Sequence, residues 1–354
     1  MVGVVQELPT EEAADAPDTV AAEVAGAEVV AVDDHPETNQ NFWRGKMFRT
    51  ITLLISVVVL SLLPPTRSLA AESSLQRFVG SEPETFQDPG AAIDVLKRKI
   101  EAKDVDGLAK LLGLDAEQAQ KSADLDDRLS ELQQAFREHA ELRDRGNDAK
   151  ELILGGRVWP FPFPLIKQGA GWQFDTVAGL EEILARRIGE NELHAIETCR
   201  DEILAQAAYA DDDHDADGVL EYAQKTVSDE GKHNGLYWPS GGGKESPAGR
   251  FADQEQVEGA RKADGGYFGY RFKILHAQGK NIAGGKYDFV INGNMIGGHA
   301  MIAWPATYGE TGVMTFVVSH HGSVYEKDLG PGTGKIVEKI RSFDPDKTWK
   351  RVAD

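Results

Sequence analysis

The spacing of apolar residues changes once along the chain, and this change constrains the fold more than any other feature. In residues 87–209 apolar side chains recur every three or four positions, as Leu125 and Leu129 do, which is typical of amphipathic helices. In residues 265–328 the period becomes two, which is typical of strands with one buried face. The sequence therefore predicts an α+β fold, with a helix-rich first part and an antiparallel sheet in the second.

Capping residues give the boundaries of the predicted helices. Asp88 precedes a proline and should cap a first helix, and Asp104 should cap a second that ends at Gly113. A third helix is predicted over 124–145. A long helical segment follows over 177–209, with a break expected near Gly189, and a last helix is predicted over 335–341.

Short strands are expected on both sides of the long helical segment. The first group covers 150–154, 164–168 and 171–175, and the alternating prolines of WPFPFP at 159–164 predict an edge or extended segment. Helices followed by these hairpins resemble the cystatin-like, nuclear-transport-factor-type fold. The second group predicts a meander of five strands, at 267–275, 287–291, 299–304, 313–319 and 323–326.

An apolar run of 13 residues, Ile51 to Leu63, follows the basic residues that flank Met47. Two prolines end the run, and Ser68-Leu69-Ala70 fits a small-x-small cleavage site. A spanning helix needs about 20 apolar residues, so residues 47–70 are predicted to be a signal peptide and not a membrane anchor. Cleavage is expected after Ala70, with Ala71 as the alternative, and would leave a periplasmic or secreted protein with no stable membrane span.

The acidic residues 1–46 precede this signal and contain no basic residue before Arg44. Signal peptides normally begin a chain. These residues are therefore interpreted as an upstream extension with a misassigned start, or as a disordered tail.

The charge of the chain excludes one class of partner. The formal net charge is −20 and the isoelectric point is about 4.9, so the surface repels phosphate backbones and nucleic acid is not an expected partner. Cys199 is the only cysteine, which excludes an internal disulfide, and its helical surroundings predict a buried, inert thiol.

The stretch DDDHDADGVLEY at 211–222 contains the strongest motif for an ion. Counted from Asp213, aspartates stand at positions 1, 3 and 5 and a glycine at position 6, as in an EF-hand calcium loop. The predicted metal ligands are Asp213, Asp215, Asp217, Val219, Glu221 and Gln224. The sequence thus predicts a structural Ca²⁺ site, followed by a helix over 219–226.

One position departs from the motif. Position 12 is Gln224, where a calcium loop has a bidentate glutamate, so the shell would need Glu221 or a distant carboxylate. The alternative interpretation is a solvated acidic linker without an ion.

Other candidate groups are interpreted as structural. His320 and His321 should lie in a turn and project to opposite faces, and a lone His299 before a strand is more often structural than catalytic. The charged cluster between Arg186 and Glu192 is expected to be a solvated or salt-bridged helix face. Core packing is the preferred interpretation of five aromatic residues that could otherwise line a groove, Trp159, Phe161, Phe163, Tyr237 and Trp238.

Separated motifs over residues 75–352 resemble an uncharacterised family of exported bacterial proteins, that of the domain of unknown function numbered 2950. They include WPFPFPL at 159–165, GWQFDT at 171–176, RRIGENEL at 186–193, DADGVLEYAQ at 215–224, GLYWP at 235–239, GYFGYRFKIL at 266–275 and SFDPDKTW at 342–349. The stretch 305–326 is also similar to the sheet of type IV pilin-like proteins. Pilins carry a long apolar helix directly before that sheet, whereas here the apolar run is far away.

These observations favour an exported, non-enzymatic envelope protein that binds or scaffolds, its partner being an envelope protein or a glycan or peptide ligand. The alternatives are a hydrolase with a site near WPFPFP, GLYWP and His299, and a pilus-related component. The predicted organisation has five parts: an extension at 1–46, the signal at 47–70, a helix-rich α+β domain at 75–209, a connecting region at 210–263 and a sheet domain at 264–354.

Overall fold

The fold is described from a computed structural model, which covers residues 75–121, 125–239, 244–262 and 265–353. The predicted extension and signal peptide lie outside these residues. Within them the chain is α+β, with most helices in the first part and a β-meander in the second, which confirms the predicted fold class.

Four helices begin the described chain, after a 3₁₀ turn at Gln76–Phe78. They are α1 (Pro89–Glu101), α2 (Val105–Leu112), α3 (Ala116–Gln120) and α4 (Leu125–Glu138). Asp88 and Asp104 accept hydrogen bonds at 2.9 Å from the N–H groups of Ala91 and Gly107, as the sequence predicts. Gly113 ends α2 with a φ of +69°, a conformation that glycine adopts without strain.

The first sheet has five strands: β1 (Ala140–Asp144), β2 (Ala149–Leu154), β3 (Trp159–Pro160), β4 (Leu165–Gln168) and β5 (Gly171–Phe174). The prediction of a helix up to residue 145 is wrong, because α4 ends at Glu138 and β1 pairs antiparallel with β2. Strand β2 buries Leu152, Ile153 and Leu154, and β1 satisfies the backbone groups along its edge.

A hydrophobic cluster joins these helices to the first sheet. Leu96, Ile100 and Leu111 from the helices pack with Leu154 and Phe174 from the strands. This first cluster also contains Phe161 and Phe163, whose ring centres are 5.8 Å apart. The proline-rich segment therefore supplies core aromatic residues.

A single long helix follows, α5 (Thr176–Tyr209), with 34 residues. The predicted break at Gly189 is wrong, because a glycine inside a helix costs only about 1 kcal/mol relative to alanine, which the packing of α5 against its neighbours offsets. At the rise of an α-helix it is about 50 Å long. In the described part of the chain, no helix is both long enough and apolar enough to cross a membrane.

The second sheet is antiparallel throughout, and its five strands pair in the order Lys350–Arg351, Tyr325–Asp328, Met314–Ser319, Ala300–Pro305 and Tyr270–Leu275. Its strands are β6 (Tyr270–Leu275), β11 (Ala300–Pro305), β12 (Met314–Ser319), β13 (Tyr325–Asp328) and β15 (Lys350–Arg351). The predicted strand at 287–291 does not join it, which is a correction. Instead Val290–Ile291 (β9) pairs with Asn294–Met295 (β10), and Ala277–Gln278 (β7) pairs with Tyr287–Asp288 (β8) and Ser342–Phe343 (β14).

Helix α5 covers one face of the second sheet. Ala195, Cys199 and Ala205 form a second cluster with sheet residues such as Met301 and Phe316. Small side chains on the helix permit this close approach. Cys199 is fully buried, which confirms the predicted burial, and this burial raises the pKa of its thiol.

Two short helices complete the described chain, α6 (Gln254–Lys262) and α7 (Thr333–Val337). The predicted helix over 219–226 is wrong. This segment is irregular, because its backbone bonds to neighbours: Tyr222 N–H donates to Met295 O at 2.9 Å, and the side chain of Gln206 bonds to both polar backbone groups of Ala223.

Candidate functional site

Three aspartates come together in the loop that follows α5. Asp213, Asp215 and Asp217 are exposed, and one oxygen from each lies within 4.8 Å of the other two. Carboxylate oxygens at this spacing are the hard ligands that Ca²⁺ prefers. The first half of the predicted calcium motif is therefore a compact acidic group.

The loop is shaped by its own side chains. Asp213 accepts hydrogen bonds from the N–H groups of Ala216 at 2.7 Å and Gly218 at 2.9 Å, and the bond from Gly218 is the main reason why the pKa of Asp213 is lowered. Asp217 accepts from Val219 N–H at 2.8 Å. Ala216 and Gly218 have φ values of +62° and +87°, so the chain turns sharply here.

The second half of the motif contacts the β9–β10 hairpin. Glu221 accepts a hydrogen bond from Met295 N–H at 2.7 Å, and the amide nitrogen of Gln224 donates to Gly293 O at 2.7 Å. The side chain of Asn294 also donates to Oδ2 of Asp217, at 2.8 Å. Glu221 and Gln224 thus attach the loop to the hairpin, and no helix follows the loop as in an EF-hand.

A stack of rings joins the acidic loop to the GLYWP segment. The His214 ring lies 4.0 Å from that of Tyr209, and the His233 ring lies 4.3 Å from that of Trp238. The ring centres of His214 and Trp238 are 5.7 Å apart in an edge-to-face contact. Burial lowers the pKa of His214. The loop and GLYWP therefore pack together, with residues 223–234 between them in the sequence.

A cavity of about 280 Å³ lies beside this unit. Its walls come from α5, the connecting segment, α6, β6 and one residue of β11, and they are mainly apolar: Ala205, Leu236, Tyr237, Phe251, Val257 and Phe272. Polar groups are few and include Thr198, Asp201, Glu202 and Arg271. Such a hollow, apolar and with a small number of polar groups, is the usual form of a small-ligand site.

Glu202 lines this cavity and contacts His299 behind it. Its Oε1 lies 3.0 Å from Nδ1 of His299, and the two side chains are only 1% and 3% exposed. The other oxygen, Oε2, is buried and has no hydrogen-bond partner among the described residues. A buried carboxyl oxygen without a hydrogen-bond partner costs free energy of folding, so this pair is a candidate functional site.

His299 is also next to His320. The two ring centres are 6.0 Å apart, and His320 Nδ1 lies 3.3 Å from the backbone oxygen of His299. Burial is the largest cause of the lowered pKa of His320. His321 lies with His320 in the predicted turn and is exposed, with its ring centre 4.1 Å from that of His320.

The five aromatic residues considered for a groove are divided between the two hydrophobic clusters. Phe161 and Phe163 are buried in the first with Trp159 against them, whereas Trp238 belongs to the second and Tyr237 lines the cavity. The structure therefore does not bring WPFPFP together with GLYWP and His299. Trp159 instead lies under the guanidinium of Arg186, 5.3 Å from its ring centre.

The charged cluster on α5 binds the second sheet and its loops. Glu192 accepts hydrogen bonds from the N–H groups of Val313 and Met314, both at 2.9 Å, and Arg187 donates to Glu310 O at 2.9 Å. Arg186, in an ion pair with Glu182 at 2.8 Å, and the exposed Glu190 match the solvated or salt-bridged face that was predicted. Polar side chains in this segment mainly cap free backbone groups of the loop before β12.

Sequence reasoning missed Glu202 and did not connect His299 with His320. The available signal was weak, because each residue stands alone in its segment. Their proximity depends on the pairing of β11 with β12 and on the docking of α5.

Comparison with known proteins identifies the family to which the chain belongs. No match was found among curated proteins or among solved structures. The model of one family, described as a protein of unknown function (DUF2950), matches residues 83–352. Since this match covers most of the chain, the protein belongs to the DUF2950 family of proteins of unknown function.

Proposed function

We propose that the protein is an exported, non-enzymatic binding protein of the cell envelope, and that its ligand enters the cavity beside α5. The observation that carries this proposal is the cavity itself, with apolar walls contributed by several separate elements. A volume of about 280 Å³ is near the lower end of the range for ligand sites, so the occupant is small.

The lining indicates the chemistry of the ligand. Phe251, Phe272 and Tyr237 provide aromatic surface, and this favours a ligand with an apolar body over a glycan. Asp201 and Arg271 are polar groups in the same wall, and they would orient a ligand that carries a polar end. An aromatic or aliphatic side chain of a peptide has the right size and character.

Calcium is proposed as a structural partner of this site. Asp213, Asp215 and Asp217 would bind the ion, with the carbonyl of Val219 at the seventh loop position. The same segment continues to Thr226 and Val227, which line the cavity. A bound ion would therefore hold one wall in place, and Glu221 and Gln224 would act through the hairpin that they contact.

Export rests on the signal-peptide pattern of residues 47–70. Expression with the native amino terminus in a bacterial host, followed by fractionation and amino-terminal sequencing, tests it. We expect a product in the periplasm or medium that begins at Ala71 or Glu72. A product that keeps residues 1–46 and stays in the cytoplasm would contradict export.

The binding proposal is tested with a neutral apolar dye, N-phenyl-1-naphthylamine, whose fluorescence increases in an apolar site. We expect saturable binding of one dye per chain. Ala260 lines the cavity, so Ala260→Trp should fill it and raise the dye Kd at least tenfold. The matched control is Gln256→Trp, which places the same side chain at an exposed position of the same helix and should leave the Kd unchanged. Equal dye binding by both variants would refute the cavity as the binding site.

A further inference from the structure

His299 and His320 are cross-strand neighbours at one end of the second sheet. Strands β11 and β12 pair with Ala300 opposite Ser319, and one step beyond this pair His320 N–H donates to His299 O at 3.0 Å. Side chains of directly opposed residues in an antiparallel pair lie on the same face. The two imidazoles therefore project together, toward the face that α5 covers.

Hydrogen bonds at Nδ1 determine which nitrogen each ring leaves free. His299 Nδ1 lies 3.0 Å from Oε1 of Glu202, so the carboxyl group occupies this ring nitrogen. His320 Nδ1 faces the backbone oxygen of His299, which only accepts. In both rings Nε2, the nitrogen on the other side of the ring from this contact, is then the one left to bind a metal.

This is the arrangement found around metal-bound histidines. A ligating imidazole usually binds the metal through one nitrogen and donates the hydrogen of the other to a carboxylate or a backbone carbonyl. Here one ring has the carboxylate and the other has the carbonyl. Zinc–nitrogen bonds of about 2.0–2.1 Å at a tetrahedral angle place two ring centres about 5–6 Å apart, close to the 6.0 Å between these rings.

We propose that His299 and His320 bind a divalent transition-metal ion, such as zinc, through their Nε2 atoms, with Glu202 as the residue that orients His299. Water completes the coordination. The ion is of the class that prefers imidazole, unlike the hard Ca²⁺ proposed for the aspartate loop, so the two sites select different metals.

The second carboxyl oxygen of Glu202 also supports this assignment. The Glu202 side chain is 1% exposed, and its Oε2 has no partner among the described residues. A buried carboxyl group with one oxygen unpaired is poorly compensated. A divalent cation bound at Nε2 of His299 would place positive charge close to this carboxyl group and would compensate for its burial.

Zinc titration by calorimetry tests the site. The titration uses the form of the protein that is purified from the expressing cells. Calcium at 1 mM is present throughout to occupy the aspartate loop. We expect saturable binding of one zinc per chain. His299→Ala and His320→Ala should each raise the zinc Kd at least tenfold, and Glu202→Gln should raise it about tenfold, as loss of an orienting carboxylate does.

The control is His139→Ala, which removes an exposed histidine from the first part of the chain and should leave zinc binding unchanged. Circular dichroism establishes that each variant is folded. Since the histidine variants could lose structure, the parent protein loaded with Cu²⁺ is also studied by pulsed electron paramagnetic resonance, where coupling to remote imidazole nitrogens is expected. Absence of saturable zinc binding, undiminished binding by folded variants, or absence of nitrogen coupling would each overturn the proposal.

Discussion

Gln206 and Ala223 form a reciprocal pair of buried hydrogen bonds. The side-chain nitrogen of Gln206 donates to Ala223 O at 3.0 Å, and Ala223 N–H donates to the side-chain oxygen of Gln206 at 2.8 Å. One amide on α5 thus satisfies both polar backbone groups of a residue in the connecting segment. This pair fixes the end of the acidic loop against the long helix.

Removal of that amide should be strongly destabilising. Gln206→Leu keeps most of the volume but leaves the N–H and the carbonyl of Ala223 buried without partners, so we expect a loss of about 2–4 kcal/mol in the free energy of unfolding. Urea denaturation measures it. Gln134→Leu is the control, because the side chain of Gln134 is exposed and should cost little. Equal stabilities of the two variants would show that the pair does not hold the segment.

Calcium should stabilise the protein through the aspartate loop. For a Kd of about 10⁻⁴–10⁻³ M, 5 mM calcium adds about 1–2 kcal/mol and raises the Tm. Asp215→Asn should lose this increase. Asp211→Asn should keep it, because Asp211 is exposed and precedes the first loop position. Thermal melts with calcium and with a chelator measure this stabilisation. Identical Tm values in the two conditions would exclude calcium binding at the loop.

Two glycines of α5 should respond in opposite ways to the same substitution. A Cβ at Gly179 would lie 2.0 Å from a ring carbon of Phe163, whereas a Cβ at Gly189 would meet nothing within 4 Å. Gly189→Ala should stabilise the protein by up to about 1 kcal/mol through helix propensity. Gly179→Ala should destabilise it by about 1–3 kcal/mol through overpacking. Chemical denaturation compares them, and stabilisation by Gly179→Ala would mean that helix α5 does not pack tightly against Phe163.

The partly buried Glu192 should make stability depend on pH. Burial raises its pKa above the ordinary value of 4.5, although the bonds from Met314 and Val313 oppose this. A folded-state pKa above the unfolded value means that this stabilising contribution is complete below pH 4.5 and is lost as the pH rises through the folded pKa.

Glu192→Gln keeps an acceptor for the two N–H groups but does not titrate. Relative to this variant, the parent should therefore lose stability as the pH rises from 4 to 7. Denaturation at several pH values measures the difference, with Glu190→Gln, an exposed neighbour, as the control. A difference that is constant over this range would mean that the pKa of Glu192 is not raised on folding.

The α+β class was predictable because it depends on local periodicity. The caps of α1 and α2 were predictable because Asp88 and Asp104 act within one turn of the helix that they cap. Strand β1 was not predictable, since its charged residues follow an amphipathic helix and its pairing with β2 is non-local. The segment after Val219 has helical propensity, but Gln206 and Met295 bind its backbone from elsewhere in the fold.

The same distinction applies to the candidate sites. The spacing of Asp213, Asp215 and Asp217 alone brings them together, so sequence reasoning found them. The cavity has walls from separate elements, and the contact between His299 and His320 depends on strand register. Neither could be seen in any single segment.

The buried position of Cys199 gives the protein an internal reporter. It is the only thiol in the chain, and it is covered by the contact between α5 and the second sheet. A thiol-reactive label can reach it only when the helix separates from the strands. The rate of labelling would therefore follow that separation directly, without a tag, and would show whether occupation of the cavity or of either metal site slows it.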